Sequence, residues 1–111
     1  METGSVIKAL YIVVNAGFTD EIMDIIRAAG GSGGTIIHAR GEGSHHHLFM
    51  GITLDHEQEI IICLADMKTA EQIMESIKQK AGRNTDIRGI CYVLPVERII
   101  GLHQPESPDR E

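Results

Sequence analysis

The chain has 111 residues, enough for one small domain, and its sixteen acidic and ten basic side chains give a formal charge of −6. That balance, with no basic run, argues against broad contact with nucleic acid or an anionic membrane, and the longest apolar stretches fall far short of a membrane span. Aromatic residues make up 4% and tryptophan is absent, so isoleucine, leucine, valine, methionine and alanine must fill the core.

Ile7 to Val14 is apolar and β-branched with almost no alternation, the pattern of a strand covered on both faces. A helix follows. Thr19 is placed as its N-cap, Asp20 and Glu21 stand in its first turn, and Ile22, Met23, Ile25, Ile26 and Ala29 recur at helical spacing up to Gly30. Gly30 and Gly31 read equally well as a helix stop or as the start of a ligand-binding glycine segment. Thr35 to Arg40 is the second strand, with Gly33 and Gly34 before it and Gly41-Glu42-Gly43 after it. No turn alone demands that last glycine pair, so a ligand is expected to approach the backbone here.

Leu48 to Leu54 reads as a strand extension, Asp55-His56-Glu57 as a turn, and Glu59 to Ala65 as a strand centred on Ile60-Ile61-Ile62-Cys63-Leu64. Met67, Ala70, Ile73, Met74, Ile77 and Ala81 mark a second helix closed by Gly82. Gly89 to Leu94 is the last long strand. Pro95 interrupts it, Val96 to Leu102 continues as an edge strand, and residues 104–111 form a disordered polar tail, which leaves 1–103 as the folded domain.

Strand, helix, strand, twice over, is the split βαβ order of an α+β domain with a ferredoxin-like βαββαβ fold. Its helices cover one face of the sheet. The strands are apolar on both sides and no segment is left for the second face, so a homo-oligomer is expected to bury it.

Cys63 and Cys91 lie within apolar strands, where a thiolate is disfavoured, and read as buried thiols of a reducing cytoplasm, with no signal segment before Ile7. His45-His46-His47 offers the side chain most used for zinc, copper or nickel. On an extended strand His45 and His47 share a face, and a third ligand must come from His38, Glu42 or another copy. The same run also reads as a solvated loop or a pH-sensitive partner contact. The serines lack a visible His and Asp arrangement, so hydrolase chemistry has no support.

Three stretches, in this order, resemble the PII signalling proteins and their PII-like relatives. They are Gly33-Gly34-Thr35 leading to Arg40-Gly41-Glu42-Gly43, then Ala81-Gly82, then Ile90-Cys91-Tyr92-Val93-Leu94-Pro95-Val96-Glu97-Arg98-Ile99-Ile100. The likeness spans nearly all of Ile7 to Leu102. It implies a homotrimeric, non-enzymatic signal transducer of nitrogen regulation that binds an adenine nucleotide (AMP, ADP, ATP or cyclic AMP) in clefts between subunits. Loop 43–58 would pass the bound state to a transporter, enzyme or regulator. On this chain the resemblance implies a nucleotide site of Gly33, Gly34, Thr35, Arg40, Gly41, Glu42, Gly43, Cys63, Leu64, Arg88, Gly89 and His103. Thr35 falls on the adenine side, and Gly41 and Gly43 at the phosphate end.

The chain also departs from the family's pattern. Asp86-Ile87-Arg88-Gly89-Ile90 replaces the Gly-Asp-Gly-Lys signature, Arg88 stands near where the missing lysine would act, and Gly101 and His103 replace two basic residues. Residues 44–58 hold no tyrosine, so the uridylylation of classical members is not expected. His45 falls at the glutamine that helps hold magnesium and 2-oxoglutarate. The alternative is a trimeric metal-binding protein resembling the CutA family, with His45 and His47 as ligands.

Overall fold

From Leu10 to Val14 every second residue of a central strand is sealed from water, and that alternation sets the architecture. β1 runs over Ile7–Asn15, with Leu10, Ile12 and Val14 wholly buried and Ala9, Tyr11 and Val13 only half-buried. The structure, a computed structural model, describes residues 6–41, 47–49, 52–54 and 56–102. After β1 come α1 (Thr19–Ala28), β2 (Thr35–Gly41), β3 (His47–Phe49), β4 (Ile52–Leu54), β5 (His56–Asp66), α2 (Met67–Lys80) and β6 (Ile90–Pro95). The main sheet is antiparallel throughout in the order β2-β5-β1-β6, which is the ferredoxin-like topology, and β3 pairs with β4 in a separate two-stranded unit.

One core joins both helices to one side of the sheet. Ile22, Ile25 and Ile26 of α1 and Ala70, Ile73 and Ile77 of α2 meet Leu10, Ile12, Val14, Ile61 and Cys63 there. Asp66 caps α2 by accepting a hydrogen bond from the Thr69 N–H at 2.8 Å, and that bond holds its carboxyl below the ordinary range. The end of α1 resolves the two readings of its glycines. Gly30 takes φ +102, its N–H donates to the Arg27 carbonyl at 3.0 Å, and the Gly31 N–H donates to Ile26 at 2.8 Å, the paired bonds of a left-handed helix stop.

Several boundaries differ from the sequence reading. Thr19 does not cap α1. Phe18 holds the N-cap position without a side-chain bond, and the Thr19 hydroxyl donates instead to the carboxylate of Glu59 across on β5. His56 and Glu57 belong to β5, because they continue its pairing with Gly41 and Arg40 of β2. The expected extension from Leu48 to Leu54 is two short strands, paired from His47↔Leu54 to Phe49↔Ile52, with only Met50 and Gly51 between them. α2 ends at Lys80 with Ala81 as its C-cap, and β6 keeps its pairing through Pro95, opposite Lys8. Val96 to Leu102 forms no strand, since β6 already lies at the sheet's edge and the chain supplies no further strand beyond it among the described residues. The tail at 104–111 lies outside the described residues.

The second face of the sheet has no cover among the described residues. Register places Ala9, Tyr11 and Val13 beside Leu64, Ile62 and Ile60 on one flank and Leu94, Tyr92 and Ile90 on the other. Tyr11 and Tyr92 stack there at 5.6 Å, while Ile90 and Tyr92 remain 58% and 46% exposed, which is uncommonly open for large apolar side chains set side by side.

Candidate functional site

The antiparallel sheet gathers the candidate residues at two separate edges. Gly33, Gly34 and Thr35 enter β2 beside the second half of β5, with Thr35 opposite Ile62. A Cβ on Gly34 would lie 2.9 Å from Ile61 Cγ2 and 3.1 Å from the Ile62 carbonyl oxygen, so close approach of β5 already requires this glycine. Cys63 faces the core beside Leu10, and burial pushes its thiol up to about 11. Leu64 lies on the open face. Arg40 and Gly41 close β2 opposite Glu57 and His56. Gly41 does not take a positive φ, and a Cβ there would meet only the flexible end of the Gln58 side chain.

At the other edge, the loop from α2 to β6 is cross-braced. The Gly89 N–H donates to the Ala81 carbonyl at 2.6 Å, and a Cβ on Gly89 would lie 2.6 Å from that same oxygen. Thr85 donates to the Gly82 carbonyl from its N–H at 3.0 Å and its hydroxyl at 2.7 Å, and that hydroxyl accepts from the Ile87 N–H at 3.2 Å. Asn15, at the end of β1, fastens the loop from the other side: its N–H donates to the Ile87 carbonyl at 3.0 Å and its amide to the Asp86 carbonyl at 2.9 Å. Ile87 is buried. Between this anchored residue and the pinned Gly89, Arg88 is forced to φ +52, the left-handed region that costs a side-chain-bearing residue about 1–2 kcal/mol. Its guanidinium side is exposed.

Beside that loop, a groove of about 680 Å³ opens between α2 and β6, lined by Glu71, Met74, Glu75, Ile77, Lys78, Gly82, Arg83, Asn84, Gly89 and Cys91. Of the predicted site residues it holds only Gly89. Burial, with a smaller contribution from Cys63, pushes the Cys91 thiol up to about 11.

A third feature lies midway along β2. The Glu59 carboxylate accepts from the Thr19 hydroxyl and, at 3.3 Å, from the Gly17 N–H, while its second oxygen stands 3.4 Å from His38 Nδ1. This ties the β1–α1 turn and the edge strand β2 to β5. Sequence reading missed Asn15, Glu59, Lys78, Arg83 and Ile87. The polar Glu57-Gln58-Glu59 run before an apolar strand and the Arg83-Asn84 pair after α2 were the available signals.

Glu42, Gly43, His45 and His103 lie outside the described residues, and the backbone of His47 begins β3. Among the described residues no group of three His, Cys, Asp or Glu side chains is placed to hold a metal ion, and no helix is long and apolar enough to cross a membrane.

The chain is thus an α+β domain whose ferredoxin-like sheet has one apolar face uncovered among the described residues and candidate loops at both edges. The chain belongs to the nitrogen regulatory protein P-II family, whose model matches residues 7–106. Proteins of this family are trimeric regulators of signal transduction that contact partner proteins, and they are not enzymes. The family does not favour the CutA-like alternative. In solved structures the fold resembles GlnK of B. subtilis (16% identity, TM-score 0.63, covering 84% of this chain and 87% of that one). It also resembles a PII-like signalling protein of Thermus thermophilus (22% identity, TM-score 0.65, 83% and 87% covered). A third match is the GlnK–ATP complex of B. subtilis (14% identity, TM-score 0.65, 84% and 85% covered). No curated protein sequence matches the chain at a significant level.

Proposed function

We propose that this PII-family chain is a cytoplasmic homotrimer that binds an adenine nucleotide between copies and relays the bound state through residues 43–58 to a transporter, enzyme or regulator. The observation that carries this reading is the division of the candidate residues between opposite edges of one sheet. Thr35 lies on edge strand β2, whereas Arg88 and Gly89 lead into edge strand β6, with β5 and β1 between them. Three strand spacings separate the edges, about 14 Å, so within one chain the two groups face apart. In a closed ring the β6 edge of one copy meets the β2 edge of the next, and the groups converge across that heterologous contact. The bare apolar face supplies the reason for the ring to form.

In that cleft, Thr35 and Leu64 of one copy would border the base, and the phosphates would meet Arg88 and the Gly89 backbone of its neighbour. The GlnK–ATP complex supports an adenine nucleotide as the ligand class. Relay to the loop follows from continuity: β2 runs through Arg40 and Gly41 directly into the segment that reaches β3. A ligand that orders the foot of β2 shifts the loop's population by its differential affinity for the two loop states.

A thermal-shift screen with AMP, ADP, ATP, cyclic AMP and zinc tests the reading. An adenine nucleotide at a hundred times its dissociation constant should add about 2.7 kcal/mol to stability in metal-free buffer. A response to zinc alone, abolished by His45→Ala with His47→Ala, would restore the metal reading instead.

A further inference from the structure

The bonds that shape the loop from α2 to β6 come from two sources. Thr85 and the carbonyls of Ala81 and Gly82 brace it from within and from the end of the helix it leaves. Asn15 enters from the end of β1, 71 residues before Asp86. Its backbone N–H donates to the Ile87 carbonyl and its side-chain amide to the Asp86 carbonyl, so one residue fixes two successive carbonyls just before Arg88.

Asn15 is itself a firm post. It lies in register with Gln58 of β5, and the next N–H, that of Ala16, donates to the Glu57 carbonyl at 3.0 Å. On the far side of Arg88, the Gly89 N–H is tied to Ala81, and Ile90 pairs with Val13 of β1. Arg88 absorbs the mismatch between these two fixed ends, and among the described non-glycine residues it alone takes a positive φ. A residue with a side chain leaves that region when it is free to, so the conformation lasts only while both ends are held. Any residue but proline could supply the backbone bond to Ile87. The bond to Asp86 needs a side-chain donor of asparagine's reach.

We infer that Asn15 is a positioning residue for the nucleotide site: its amide keeps Arg88 in the left-handed conformation that presents the guanidinium at the β6 edge. The role rests on the reading above, in which that edge meets the neighbouring copy and Arg88 meets the phosphates. Asn15 acts through Arg88 and not by touching the ligand.

Two cycles built on Asn15→Ala and Arg88→Gly test it, with far-UV circular dichroism and light scattering confirming that each variant folds and assembles as wild type does. The first cycle is free of ligand. Glycine takes a positive φ without strain, so Arg88→Gly should be more favourable to the melting temperature in wild type than in Asn15→Ala, by roughly 2–4 °C. An equal effect in both backgrounds would overturn the hold of the amide on Arg88. The second cycle titrates AMP, ADP, ATP and cyclic AMP by calorimetry in metal-free buffer and follows whichever wild type binds most tightly. Asn15→Ala should weaken that nucleotide about fivefold, the size of one net hydrogen bond, yet change the affinity of Arg88→Gly by less than about twofold. A residue with a merely structural role would weaken both backgrounds alike. An Asn15→Ala variant that binds as tightly as wild type, or that loses as much affinity in the Arg88→Gly background, would overturn the positioning role and leave the nucleotide reading standing. A wild type that binds none of the four would overturn that reading, and this role with it.

Discussion

The two faces of the sheet are built from the same strands and differ by a single step along each. On one face Leu10, Ile12, Ile61 and Cys63 are sealed beneath two helices; on the other Tyr11, Ile62, Ile90 and Tyr92 form an equally apolar surface with no cover among the described residues. The difference teaches that half of the apolar sheet surface suffices to specify the fold, and it leaves the other half as the surface that the proposed ring would bury. Burying a large apolar side chain contributes about 1.5–3 kcal/mol, so neighbours of this kind are not left in water without a use.

The comparison breaks most visibly if one residue from each face is truncated. Ile12→Ala should cost 2–5 kcal/mol, roughly the range for deleting a buried isoleucine side chain, because the helices cannot close over the cavity. Ile90→Ala should cost the isolated chain much less, since Ile90 is largely solvated there. Urea denaturation at low protein concentration measures both, and equal losses would mean that the faces are not distinct.

A charge on the open face should act on assembly rather than on the chain. Tyr92→Asp is expected to raise the concentration of half-dissociation about a hundredfold, equivalent to about 2.7 kcal/mol, while the far-UV spectrum is unchanged. Light scattering across a dilution series reads the effect.

The two edges differ as well, and their glycines sharpen the point. Gly89→Ala forces a Cβ to within 2.6 Å of the Ala81 backbone oxygen and should cost roughly 1–3 kcal/mol, as overpacking does. Gly41→Ala meets only the movable Gln58 side chain and should cost less than about 1 kcal/mol. Thermal melts of the two variants decide this.

The smallest effect is alkaline. Both thiols lie on the helix-facing side, where burial raises them from the ordinary 9.0 to about 11. Unfolded thiols ionise first, so their contribution is complete below pH 9 and is lost as the pH rises towards 11. A variant carrying Cys63→Ala and Cys91→Ala should show a shallower decline of stability over that window.

The ferredoxin-like order of elements was legible because isoleucine runs and helical spacing are local signals. The edges were less so. Thr19 has the side chain of an N-cap, but a carboxylate from a strand distant in sequence takes its hydroxyl. Val96 to Leu102 has the composition of a strand, yet strand formation needs a neighbour that this chain does not offer among the described residues. The pairing of His47 to Phe49 with Ile52 to Leu54 carries no strong turn signal between the two strands, so the β-prone composition of Leu48 to Leu54 reads as one strand. Among the candidate site residues, Gly34 and Gly89 read as ligand-binding glycines, and each also answers a close approach of neighbouring atoms that spacing alone does not reveal. Arg88 was noticed for its charge, but its left-handed φ comes from Ile87 and Gly89 being anchored on either side, which spacing alone does not reveal.

The central claim is that a nucleotide site is shared between the β6 edge of one copy and the β2 edge of the next, and subunit complementation tests it most directly. Arg88→Gly suits the local φ and removes the cation, and Thr35→Val removes the hydroxyl on the opposite edge. Each variant alone should bind adenine nucleotide weakly by calorimetric titration. In mixed trimers of the two, one cleft in three pairs an intact Arg88 with an intact Thr35, so tight binding should return at about one site per trimer. Mixed trimers that bind no better than either parent would place the site within a single chain and contradict the account.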